Sequence, residues 1–316
     1  MSYRSLVLVL SAPLLFGCEL WDAPMSDPDC SSTPVDTDAE LLLTQAWLRD
    51  DARAKNSTAG VFSFAGQLAA LDARYPNFDA SSLWSLLGVD AGMPGARLPF
   101  RLLALVNRTD LAEQLVPESP AGEARLVYTL TNGPGDDPES VALPLTLIFE
   151  YSLGSARTVG DWSSAFHALA ALSDRTKPTR TEATLDLVTS IVAPSVATDS
   201  PYLSQLRVND GRAGAPELYE LSLDGSGKLA RRGLRNTPRP ELAGSDELLA
   251  FARENASAIA QGTHRVPVPW LAGSARVEPV EWLTTSPQLQ RDFTRATCPG
   301  CHGPDAPGNQ GCHLAE

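Results

Sequence analysis

Apolar positions recur at helical spacing early in the chain, switch to strand-length runs after Leu98, and alternate between the two periods from there to Phe293. Asp38 is a plausible N-cap for a helix carrying Leu41, Leu42, Gln45, Leu48 and Arg49, and further helices are predicted over Phe62 to Arg74 and around Ser82 to Leu87. Phe100 to Asn107, Arg125 to Leu130 and Leu145 to Tyr151 are short runs rich in Leu, Val and aromatics, separated by Pro, Gly and Asp, and read as strands of one sheet. Two helices follow, one capped by Asp161 and running through Leu172, one capped by Thr181 and running to Val192. Strands return at Tyr202 to Val208, Leu218 to Leu223 and Lys228 to Leu234, with Asp224 to Gly227 as the hairpin turn between the last two. Ser245 to Ala260 reads as one helix ended by Gly262, and Ser286-Pro287 opens a last helix through Thr297.

This pattern predicts an α+β fold: a single globular domain over residues 39–297, with a mixed or antiparallel sheet flanked by helices, and then an irregular Cys-rich tail over 298–316. There is no internal repeat and no linker that forces a cut. A length of 316 residues and 43% apolar content suffice for a sizeable core. The formal charge of -13, without any Lys/Arg run, argues against nucleic acid as a partner.

The N-terminus is read as an export signal. Arg4 precedes Leu6 to Leu10 and Leu14 to Cys18, an apolar run suited to a signal peptide over residues 1–17 rather than to a membrane span. Leu15-Phe16-Gly17-Cys18 resembles the bacterial lipoprotein box, which implies lipidation of Cys18; Phe16 departs from the usual small residue. The alternative is an ordinary secretory signal with a chance cysteine. Residues 18–38 are rich in Pro, Ser, Thr and Asp and read as a lipidated, flexible tether. Glu19 follows Cys18 where an inner-membrane retention signal would have Asp, so the expected location is the cell envelope, as an outer-membrane lipoprotein held by its lipid.

Three of the five cysteines and two of the four histidines lie in the last nineteen residues, as Cys298-Pro299-Gly300-Cys301-His302 and Cys312-His313. C-x-x-C-H is the attachment signature of c-type haem: two thiols one turn apart can add to two vinyl groups while the neighbouring imidazole reaches the iron. Cys298 and Cys301 are therefore candidate haem attachment sites and His302 the candidate proximal ligand. His313 is the candidate for the opposite face, since an extended stretch of eleven residues reaches roughly 36 Å. Two other readings stay open, a structural disulfide and a zinc site on Cys298, Cys301, Cys312 and a histidine. Pro299, Gly300, Gly303 and Pro304 predict a loop here. Cys30 is either unpaired or a partner for Cys312. His264, in a loop after Gly262, is a further histidine to which a ligand role is open.

A second cluster, Arg108 and Asp110 at one strand end and Glu123 and Arg125 at the start of the next, would meet if those strands pair as a hairpin. It would then form either a polar ligand site or a structural ion-pair network. Asn107 to Leu111, Gly122 to Tyr128, Phe149 to Tyr151, Phe293 to His302 and the lipoprotein box together resemble a group of uncharacterised lipoproteins exported by myxobacteria-like bacteria. The resemblance implies no particular activity. No nucleophile elbow, phosphate loop or zinc-protease helix is present, so an enzyme is not the favoured reading. The expectation is an envelope lipoprotein carrying haem c for electron transfer or redox sensing, toward a redox or protein partner that no residue specifies. The alternative is a non-enzymatic surface or binding lipoprotein whose terminal cysteines form a disulfide or metal site.

Overall fold

The computed structural model describes residues 42–44, 62–89, 98–109, 112, 121–135, 137, 139–170, 177–192, 201–224, 226–278 and 280–302. The strands are β1 (Leu42–Thr44), β2 (Phe100–Arg108), β3 (Glu123–Thr131), β4 (Ala142–Ser152), β5 (Tyr202–Asp210), β6 (Glu217–Leu223), β7 (Leu229–Arg232) and β8 (Ala275–Arg276). The α-helices are α1 (Phe64–Arg74), α2 (Ala80–Leu87), α3 (Val159–Ala170), α4 (Lys177–Val192), α5 (Asp246–Glu254), α6 (Ala256–Ala260), α7 (Pro287–Arg295) and α8 (Cys298–His302). The fold is α+β with an antiparallel sheet, and the chain groups into two compact units. One comprises Ala39–Leu234 with Gly273–Arg276, the other Arg235–Ala272 and the chain from Val277 onward. No helix among the described residues is long and apolar enough to cross a membrane.

The sheet unit is a meander in the order β1-β2-β3-β4-β5-β6-β7, with β8 on β6. Alternation along the strands assigns its two faces, with irregularities at Leu102/Ala104, Thr129/Thr131 and Glu150/Tyr151. Along β4, Leu145, Leu147, Phe149 and Tyr151 enter the main core, while Thr146, Ile148, Glu150 and Ser152 take the opposite side. The same core holds Phe64, Leu68 and Leu71 of α1, Leu83, Trp84 and Leu87 of α2, Trp162 and Phe166 of α3, and Val188 and Ile191 of α4. Phe64 organises its centre: its ring stacks on Phe100 at 4.2 Å and meets Tyr128 and Phe149 edge-on at 5.5 and 5.6 Å. The phenols entering this core are satisfied, Tyr128 donating to the Phe62 carbonyl at 3.0 Å and Tyr151 to Gln67 Oε1 at 2.6 Å. Burial pushes both far above the ordinary phenol range, so they act as neutral donors.

Several local expectations are corrected. Leu42–Thr44 is a strand, not part of a helix from Asp38. Three consecutive leucines fit either period, and pairing of Leu42 with Val106 and Thr44 with Ala104 supplies hydrogen-bond partners to the β2 edge. Helix α3 begins at Thr158–Asp161, where the two residues cap reciprocally: Asp161 Oδ2 accepts from Thr158 N at 2.9 Å and Thr158 Oγ1 from Asp161 N at 3.1 Å. Helix α4 starts at Lys177 rather than at Thr181, because Pro178 is tolerated in a first turn. Asp224 does organise the hairpin before β7, its Oδ1 accepting from Ser226 N and Lys228 N.

In the second unit the helix expected over Ser245 to Ala260 is broken at Asn255, which leaves helical geometry (φ -105, ψ 18) and donates from Nδ2 to the Phe251 carbonyl at 2.8 Å. The resulting α5, α6 and α7 enclose a core of Leu248, Ala252, Ile259, Val266, Trp282, Leu283 and Phe293. Ser245 caps α5, accepting from Leu248 N at 3.1 Å. Ser245→Ala is expected to cost this unit about 1 kcal/mol, read as faster hydrogen exchange at the Leu248 and Leu249 amides. Unchanged exchange would mean that the hydroxyl contributes nothing to the cap.

Candidate functional site

The C-x-x-C-H motif is built on the end of α7. Ser286 and Pro287 start that helix as their residue types predict, with Ser286 Oγ accepting from Leu289 N at 3.4 Å. Thr297 then joins two helices. Its Oγ1 donates to the Thr294 carbonyl at 2.7 Å, closing α7, and accepts from Gly300 N at 3.2 Å, opening α8. Cys298 N donates to Thr237 Oγ1 at 2.9 Å, and Pro299 has no N–H to satisfy. The first backbone donors of α8 are thus accounted for, and residues 298–302 are helical where Pro and Gly content alone predicts a loop.

Helical placement has a chemical consequence. At about 100° per residue, positions 298, 301 and 302 fall within an arc of about 100° on one face of α8, and Gly300 lies about 150° from the centre of that arc. Gly300 approaches α7 so closely that a Cβ there would stand 1.9 Å from the Thr294 carbonyl oxygen. Only glycine allows this contact.

His264 belongs to the same unit. It is 2% exposed, its ring centroid is 5.6 Å from that of Phe293, and among the described residues neither Nδ1 nor Nε2 has a hydrogen-bond partner. Burial, with a smaller contribution from Arg265, holds its pKa below the ordinary imidazole value. The adjacent residues Asn236 and Thr237 tie its loop to the motif. Asn236, at φ 57, accepts from Val266 N at 3.2 Å through Oδ1, and Thr237 accepts from Cys298 N.

Among the described residues no three His, Cys, Asp or Glu side chains converge as metal ligands. Cys301 and His302 are described by their backbone alone, and Cys18, Cys30, Asp110, Cys312 and His313 lie outside the described residues.

The polar cluster near Arg108 lies in the sheet unit. Arg108 and Glu123 are register partners, and Arg125 Nη2 is 2.8 Å from Glu123 Oε2. The strand pairing extends this cluster to residues not singled out from the sequence. Arg125 Nε lies 3.2 Å from Glu150 Oε1, and Arg207 Nη2 lies 3.4 Å from Glu150 Oε2 and 3.5 Å from Glu220 Oε1. Arg232 ends the row 3.6 Å from Glu220 Oε2, and Gln205 Nε2 donates to Glu150 Oε2 at 2.5 Å. Acid and base thus alternate across β3 to β7, on the face away from the main core.

Glu150 is the centre of that row and has no exposed surface. Burial alone would raise its pKa, but Arg207, Arg125, Gln205 and Arg108 together outweigh burial and hold it below the ordinary carboxylate value. Glu123 moves the other way. Burial and then the Glu150 charge raise it, against the pull of Arg125. The available sign in the sequence was one acid, Glu150, set between Phe149 and Tyr151 in an otherwise apolar strand.

No family model, curated protein or solved structure matches this chain.

Proposed function

We propose that the protein is an envelope lipoprotein, anchored through Cys18, that carries a c-type haem on Cys298 and Cys301 with His302 as proximal ligand, for electron transfer or redox sensing. The observation that carries the reading is the helical backbone of residues 298–302. It groups the two thiol positions and the imidazole position on one face and turns Gly300 toward α7. When bound, haem supplies a one-electron couple whose potential follows its axial ligands. The chain's own part is to hold the two thiols one turn apart through the Thr297 and Thr237 caps, and to present His302 from the same helix.

Coexpression with a c-type maturation system tests this. The purified protein is expected to retain haem after denaturation, with an intact mass raised by one haem, and Cys298→Ala with Cys301→Ala should abolish both. A haem-free product containing stoichiometric zinc, or one lighter by two hydrogens per cysteine pair, would favour the metal or disulfide alternative instead. For the anchor, Cys18→Ala is expected to move the protein from the membrane fraction to a soluble or unprocessed form. Unaltered detergent partitioning of a correctly cleaved variant would count against lipidation.

A further inference from the structure

We propose that the second unit carries an acid-released latch: the neutral ring of His264, buried against Phe293, holds the loop from His264 to Val266 and the start of α8 in place, and protonation of the ring releases both. The latch is independent of the haem reading above.

Three observations within one unit carry it. First, the ring is 2% exposed and, among the described residues, neither of its nitrogens has a hydrogen-bond partner. A neutral imidazole carries one N–H and one lone pair, whereas the protonated ring carries two N–H groups and a charge. With no acceptor in place the buried site leaves both donors unmet and the charge uncompensated, so the proton is favoured only once the ring reaches water. The segments around the ring supply no such acceptor. Helix α6, whose Ala258 carbonyl accepts from His264 N, has no charged residue; α7 carries Arg291, Asp292 and Arg295, Arg235 precedes Asn236, and Arg265 is on the loop itself. Of these, Arg265 bears on the ring, and its like charge opposes protonation further.

Second, His264 lies between Thr263 and Arg265, both exposed, so movement of the loop alone brings the ring to water while α6 and α7 stay formed. What holds the ring in is its contact with Phe293, at 5.6 Å between centroids. Third, the loop is tied to α8 through consecutive residues. Val266 N donates to Asn236 Oδ1 at 3.2 Å, and Thr237 Oγ1 accepts from Cys298 N at 2.9 Å. Asn236 stands at φ 57, the only non-glycine residue with positive φ among the described residues, and the bond from Val266 helps to keep it there. Departure of the loop lets Asn236 relax, and Thr237 moves with it.

The sign follows from burial. Burial, and then Arg265, lower the pKa of the folded ring, so the open state binds more protons than the closed one. The closed state therefore keeps its full stability above the ordinary imidazole value of 6.5 and loses it as pH falls from there toward the folded value.

Amide hydrogen exchange of the full chain from about pH 7.5 to about pH 5, corrected for intrinsic rates, tests this in the parent, in His264→Phe and in His264→Gln. In the parent, protection of the Val266 and Cys298 amides is expected to hold steady down to about pH 6.5 and then to fall at both, by up to about tenfold per pH unit, the slope of one proton. Both amides should be less protected than that of Ala252, a buried interior residue of α5, because the latch opens with the helices formed. His264→Phe keeps an aromatic ring against Phe293 and should flatten the profile at both amides. His264→Gln takes no proton either, and covers the case in which the phenylalanine variant fails to fold. A flat parent profile, a slope that survives these substitutions, a response at one of the two amides only, or protection of Val266 equal to that of Ala252 would each overturn the latch.

Discussion

Glu150→Ala is expected to destabilise the sheet unit by about 3–5 kcal/mol, the usual cost of removing one partner from a buried charge network. The carboxylate is fully buried and faces Arg125 at 3.2 Å and Arg207 at 3.4 Å. Without it two guanidiniums share one side of the sheet with no acid between them, and Gln205 loses its acceptor. Urea unfolding followed through hydrogen exchange of the β3 to β5 amides reads the effect. A loss under about 1 kcal/mol, the level of an exposed pair, would show that solvent screens this row.

The same residue sets a pH dependence with a definite sign. The folded-state pKa of Glu150 lies below its unfolded value, so its contribution is present above the unfolded pKa and is lost as pH falls through the folded one. Glu123 is raised, so its contribution is present below the unfolded pKa and is lost as pH rises through the folded one. Glu150→Gln removes the first contribution and also the neighbouring charge that lifts Glu123. Stability should then fall less steeply with acid than in the parent, with the Glu123 carboxyl titrating lower by carbon-13 NMR. An unchanged acid slope would assign the acid sensitivity to other carboxylates.

Gly300→Ala is expected to cost the second unit about 3 kcal/mol or more, at or beyond the upper end of ordinary overpacking. The added Cβ would lie 1.9 Å from the Thr294 carbonyl oxygen and 2.5 Å from its carbon. Both are backbone atoms at the end of α7, so no rotamer change relieves the contact. Helix α8 must move off α7, which disrupts the Thr297 and Thr237 hydrogen bonds to Gly300 and Cys298. Gly273→Ala is the control: its Cβ would meet nothing within 4 Å, and its effect should stay within about 0.5 kcal/mol. Equal losses for the two variants would mean that the close approach at Gly300 is relieved at little cost.

Much of the local structure was legible before any coordinates. The alternation along Leu145 to Tyr151 assigns one face of β4 to the core, Asp224 and Ser226 mark the turn before β7, and Ser245 and Ser286-Pro287 begin helices where their types predict. These signals are local. An alternating strand, an oxygen that can reach a nearby amide and a proline in a first turn act within a few residues, so they can be read from a short window of chain. The C-x-x-C-H spacing is of the same kind, and with it comes the chemistry to be expected of two thiols and an imidazole one turn apart.

Other features depend on residues distant in sequence. Whether Leu42–Thr44 is helix or strand was open locally, and hydrogen bonding to β2 decides it. Arg108 and Glu123 were expected to meet if their strands paired. The row continues through Glu150 to Arg207 and Glu220 because the pairings set Arg125 opposite Glu150 and Arg207 opposite Glu220, and a shift of one residue would turn these charges to the other face. Gly300 reads from its neighbours as a loop residue, and only its approach to the Thr294 carbonyl on α7 makes it a packing position. His264 is one loop histidine among four histidines in the chain, and only the fold shows it buried beside Phe293, with no hydrogen-bond partner among the described residues. Period, caps and motif spacing are properties of neighbouring residues; register, close backbone approach and an unsatisfied buried ring exist only once distant segments have packed.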